Sequence, residues 1–203
     1  MRRRLPTLGL ATVLVTGAPA QAGILVDARL EGVPLRLELG SDPDRVLVTV
    51  DGRTQLVDLA AGKIWPGGAA APASSEAGTP EGIFQLERWS RGPAVAGYAS
   101  QYGVLRRGEA ICAEVLSSPW MKSFLEPLVR ALALLQRVDA ALRPKPRPGC
   151  GALPFDAYAG DGWPLLVGFR DVAIFRTLRL RFDHEVDADR LAAVGGPSAT
   201  RPP

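Results

Sequence analysis

The chain has a single histidine, His184, which stands in the acidic run Asp183-His184-Glu185-Val186-Asp187-Ala188-Asp189. An imidazole among carboxylates can coordinate a divalent cation or carry a proton near neutral pH. Here the acids fall on alternating positions with no second histidine or cysteine beside them, which does not match the spacing of a metal centre. The run reads as a solvated acidic turn entering the C-terminal segment, and no metal ligands are assigned. The scarcity of histidine also leaves the serines and cysteines without a base to activate them. No G-x-G-x-x-G or G-x-x-x-x-G-K-[ST] phosphate cradle occurs, nor a G-x-S-x-G elbow. No catalytic residue and no cofactor are expected, and the chain reads as a non-enzyme.

Cys112 and Cys150 are the two cysteines. Three fates are open to them: a disulfide, two buried thiols, or one reactive thiolate. Cys112 lies in the apolar, strand-like run Ala110-Ile111-Cys112-Ala113-Glu114-Val115, where a thiolate is poorly stabilised. An even count in an exported chain favours a disulfide, and closing a loop of roughly 40 residues contributes about 4 kcal/mol in the chain-entropy model.

Export is read from residues 1–22. Arg2, Arg3 and Arg4 form a basic start, Leu5 to Gly17 is uncharged and mostly apolar, and Ala20-Gln21-Ala22 is a small-x-small cleavage site. The apolar run is too short for a bilayer span, which needs about 20 apolar residues. No transmembrane segment is expected in the mature chain, and periplasmic or secreted placement follows. The full chain has 24 Lys and Arg against 21 Asp and Glu; losing three arginines leaves 21 of each, so the basic excess belongs to the signal. Nucleic acid is therefore set aside as a partner.

Trp120, Met121 and Phe124 gather at the expected start of a helix, where thioether and aromatic groups could line the mouth of a cavity. They are the candidate ligand-binding residues. The other tryptophans, Trp65, Trp89 and Trp163, read as core or rim aromatics. Arg143, Lys145 and Arg147, spaced by prolines, read as an exposed basic strip in a solvated linker.

These residues are positioned by a predominantly β chain. Strands are expected over Ile24 to Leu30, Val33 to Leu39, Arg45 to Val50, Arg53 to Leu59 and Lys63 to Trp65, with turns at Glu31-Gly32, Asp51-Gly52 and Ala61-Gly62. Residues 66–82 are rich in Gly, Ala, Pro and Ser and are expected to form a mobile loop, either a lid or a disordered connection. Three more strands are expected over Ile83 to Ser90, Val95 to Arg106 and Glu109 to Leu116. Ser118 as N-cap and Pro119 at the first helical position then open a helix whose apolar positions run from Leu125 to Leu142. Pro127 should kink or divide it. The segment Gly149 to Gly162 is turn-rich, and Trp163 to Arg170 and Ala173 to Phe182 make a closing hairpin. Leu178, Leu180 and Phe182 are assigned to one face of its last strand. The whole is an α+β domain over 23–194, a curved antiparallel sheet packed on one long helix, with a frayed tail at 195–203.

The order of Val95-Ala96-Gly97-Tyr98 opening a strand, Tyr102 within it, Gly108-Glu109 leading to Cys112, and a helix before a final hairpin resembles exported proteins related to the periplasmic lipoprotein carriers. That resemblance, to the LolA/LolB-like half-barrel fold, runs from about Ile83 to Phe182. It implies an incomplete antiparallel barrel wrapped around helices, a hydrophobic cavity, and a role in binding or carrying rather than catalysis. The expected partner is a hydrophobic ligand, a lipid or a lipidated protein. The alternative is an envelope accessory or assembly protein that acts through protein contacts.

Overall fold

The computed structural model describes residues 23–66, 73–74, 83–139, 142, 145–187, 190–191 and 194. The signal segment, most of the 66–82 loop, Arg143 and the C-terminal tail lie outside the described residues.

The N-terminal meander forms with nearly the expected bounds: β1 (Gly23–Leu30), β2 (Val33–Leu39), β3 (Arg45–Val50), β4 (Arg53–Asp58) and β5 (Lys63–Pro66). Glu31 and Gly32 have φ of 50° and 87°, and Asp51 and Gly52 have 46° and 79°, the pair of positive values that a tight I′ hairpin turn requires. Within the region read as loop, β6 (Ala73–Ser74) pairs with β5.

The next hairpin differs from the expectation. β7 (Gln85–Val95) runs straight to a turn at Ala96-Gly97, with φ of 52° and 84°, and β8 (Tyr98–Arg107) returns. Val95-Ala96-Gly97-Tyr98 is thus a turn and not the opening of a strand. Gly92 and Pro93 look like a break in the sequence. They are tolerated inside β7 because it is an edge strand whose ladder is irregular between Gly92 and Val95, so the missing proline amide costs no central hydrogen bond.

After β9 (Ala110–Ser118), Pro119–Met121 forms a 3-10 turn that runs into α1 (Lys122–Val138). Ser118 has the extended backbone of an N-cap, but its buried hydroxyl makes no capping bond. Pro127 does not divide α1. A proline inside a helix costs about 3 kcal/mol, whereas Leu125, Leu128, Leu132 and Leu135 are all fully buried and each gains roughly 2 kcal/mol. The helix stops at Val138, so Leu142 is buried beyond its end and not on it. A short helix, α2 (Phe155–Ala159), replaces part of the turn-rich stretch, and β10 (Trp163–Phe169) and β11 (Val172–His184) close the chain over Arg170-Asp171.

All eleven strands join one antiparallel sheet in the order β6-β5-β4-β3-β2-β1-β11-β10-β9-β8-β7, so the first and last long strands are neighbours. One helix, α1, touches β2, β3 and β4 on one side and β10 on the other, which the sheet permits by curving around it. The inner face carries Val26, Ala28, Leu35, Leu37, Val46, Val48 and Val57 against the apolar stripe of α1. Deeper in, Phe155, Tyr158, Trp163 and Phe175 form an aromatic knot, with Phe155 at 5.0 Å from Tyr158 and 5.1 Å from Phe175. The buried indole of Trp163 donates to Thr177 Oγ1 at 2.9 Å, and Thr177 donates in turn to the Pro164 carbonyl at 3.0 Å.

Leu178 breaks the expected face of β11. The β1–β11 ladder slips where Asp27 opposes Arg179 and Ala28 opposes Thr177, so Leu178 is bulged to the outer side and 49% exposed, while Leu180 stays in the core.

Cys112 and Cys150 are joined in a disulfide with their Cα atoms 5.6 Å apart. The bond fastens the helical excursion back onto β9, and Arg107 reinforces it by donating to the Cys150 carbonyl at 3.1 Å. A disulfide fits an extracytoplasmic protein. Among the described residues, no helix is long and apolar enough to cross a membrane.

Candidate ligand-contact rim

The start of the helical excursion sets two aromatic rings on one face. Trp120, in the 3-10 turn, and Phe124, in the first turn of α1, are four residues apart and so project together, with centroids 6.5 Å apart. Phe182, near the end of β11, lies 5.8 Å from Trp120 and 6.2 Å from Phe124. Tyr98, at the start of β8, is 6.2 Å from Trp120 and is held by its hydroxyl, which donates to the Leu180 carbonyl at 3.0 Å. Trp120 and Phe124 remain 52% and 54% exposed.

Met121 does not join them. It is fully buried, because it shares its helix face with Leu125 and Leu128 and points into the core. The sequence-predicted trio is therefore split into two rim residues and one core residue. Phe182 and Tyr98 complete the rim and were not singled out, since their meeting depends on strands distant from α1 in sequence. The one available local signal was the pair of aromatics at four-residue spacing.

The other candidates resolve as structural. His184 is not in a solvated turn: its Nε2 lies 2.9 Å from Glu38 Oε2, and Glu38 is 2% exposed. Arg190 adds a cation, 3.0 Å from the same carboxylate. In the basic Pro-rich strip, Lys145 and Arg147 are likewise tied down. Arg147 donates to Glu31 at 2.9 Å in a largely buried ion pair, and the Lys145 amide donates to the same carboxylate at 3.3 Å. Trp163 is core, Trp65 packs beneath the C-terminal segment, and Trp89 is exposed with its edge on Tyr102. Among the described residues, no three His, Cys, Asp or Glu side chains are grouped to hold a metal ion.

No family model, curated protein or solved structure matches this chain. What the rim can do follows from its geometry. Four rings present faces and edges, so they can bind by covering apolar area and by edge-to-face packing. The half-exposed rings of Trp120 and Phe124 leave on the order of 200 Å² to be covered, about 5 kcal/mol at 25 cal/mol/Å². Elsewhere on the helical side, Leu59, Val129, Ala133 and Leu134 line a cleft of about 270 Å³, edged by Arg130, Arg137 and Asp156.

Proposed function

We propose that this protein is a non-enzymatic, exported binding or carrier protein for a hydrophobic ligand, a lipid or a lipidated partner, built on a half-barrel that resembles the periplasmic lipoprotein carriers. The observation that carries this reading is the aromatic rim in which exposed Trp120 and Phe124 stand against the half-buried rings of Phe182 and Tyr98. A protein rarely leaves two large rings half in water beside a packed core unless something covers them. The inner face of the sheet is occupied by the chain's own leucines and valines, so the rim is the proposed contact, with an acyl chain lying across it rather than sinking deep into the sheet.

The test is titration of delipidated protein with a fluorescent fatty acid or lipopeptide, and mass spectrometry of whatever copurifies with the native protein. Saturable binding that Trp120→Ala and Phe124→Ala each weaken supports the carrier reading. Absence of binding to every acyl probe, or binding indifferent to both substitutions, overturns it. Cross-linking in intact cells that traps one protein and no lipid would favour an assembly role.

A further inference from the structure

On the opposite side of the strand that holds Phe182, the outer face of the β1–β11 seam is basic. Arg29, Arg176, Arg179 and Arg181 are all exposed there. Arg29 stands directly opposite Arg176 across the ladder. Asp27, opposite Arg179, is already engaged by Arg36 at 2.9 Å. None of the four arginines has an ion-pair partner among the described residues. Like charges directly opposite one another destabilise a sheet, and nothing in the described chain offsets the cost. The bulge at Leu178 sets a half-exposed apolar side chain among these cations. Beside it lies a shallow cleft of about 290 Å³ lined by Asp27, Arg29, Pro34, Arg36, Thr49 and Leu178.

We propose that this face docks on the surface of an anionic phospholipid bilayer, with the arginines meeting headgroup phosphates and Leu178 entering the interface. Charge complementarity carries the assignment. Residues 23–203 hold 21 basic and 21 acidic side chains, so overall charge supplies no attraction, and the field comes from the segregation of arginine on this one face. Guanidinium groups suit phosphate because their planar fork donates to two oxygens at once. An apolar residue ringed by cations matches a bilayer interface better than it matches an acidic peptide.

Cosedimentation of the purified protein with vesicles tests this. Binding is expected to vesicles of phosphatidylcholine containing about 30% phosphatidylglycerol and not to phosphatidylcholine alone, and to disappear by about 0.5 M salt. Each arginine near such a surface is worth roughly a fivefold change in partitioning, so replacing all four with glutamine lowers binding well over tenfold. A control variant removes as many exposed cations elsewhere, with Arg53→Gln, Lys63→Gln, Arg91→Gln and Arg130→Gln, and keeps binding within about threefold of the parent. Thermal unfolding of both variants confirms that they fold. Equal losses in the two variants, binding indifferent to phosphatidylglycerol, or capture of an acidic protein without vesicle binding would each overturn the proposal.

Discussion

Glu38 and His184 meet at 2.9 Å on the outer face, on strands that have β1 between them. Their contact, with Arg190 on the same carboxylate, pins the segment after β11 so that Val186, Leu191 and Val194 cover Leu47, Leu56 and Trp65. Gly23 lies opposite His184 on β1, where an added Cβ would collide with the carbonyls of Leu39 and His184. The cluster is asymmetric, since the carboxylate is buried while the His184 and Arg190 side chains are partly exposed. His184→Ala with Arg190→Ala leaves a buried charge uncompensated and should cost about 3 kcal/mol. Glu38→Gln, which strands only partly solvated side chains, should cost about 1 kcal/mol. Urea unfolding at neutral pH measures both, and the reverse order would refute this account of the latch.

The Cys112–Cys150 bond closes a sequence separation of 38 with both residues essentially inaccessible. Replacing both cysteines with alanine should lower unfolding free energy by about 4 kcal/mol. In native buffer dithiothreitol should reduce the bond slowly, and in denaturant quickly, because attack needs access to the sulfur. Thiol labelling followed over time distinguishes the two regimes.

Rim and core substitutions should separate cleanly. Leu128, fully buried on α1, should lose 2–5 kcal/mol on truncation to alanine, about the range for core leucines. Trp120→Ala and Phe124→Ala, at half-exposed sites, should cost about 1 kcal/mol or less while weakening binding of an acyl probe. Paired melts and binding isotherms of the three variants read the difference.

Burial pushes the Tyr158 phenol far above its ordinary 10.0. The folded chain therefore keeps a proton that the unfolded chain gives up, and stability is unaffected below pH 10 and falls as the pH rises past it. The slope should approach about 1.4 kcal/mol per pH unit. Tyr158→Phe should remove that part of the alkaline dependence, as seen in denaturation midpoints above and below pH 10.

Local chemistry made much of the fold readable. Glu31-Gly32 and Asp51-Gly52 announced their hairpins because glycine tolerates the second positive φ, and the leucines of α1 announced a buried helical stripe. Ala96-Gly97 was hidden because alanine is an unfavourable residue at positive φ, while Gly92-Pro93 nearby supplied a stronger but misleading break. Leu178 defeated simple alternation because a bulge is a property of two strands, not one. At the candidate site, Trp120 and Phe124 were legible from their spacing. Met121 was misplaced by one helical step, and the contacts of Phe182, Tyr98 and His184 were created by tertiary pairing alone.

Each strand pairs with the next in the chain, the β9–β10 pair bracketing the helical excursion, but β1 completes its pairing only when β11 arrives from the far end. Local hairpins form early and distant pairings late, since a long loop must be closed before its contacts repay the entropy. The two meanders should therefore assemble separately and zip together at this seam last. Because Arg29 belongs to one meander and Arg176, Arg179 and Arg181 to the other, the arginine surface comes into existence only when folding is finished. A half-folded chain would carry the same residues and lack the address they spell.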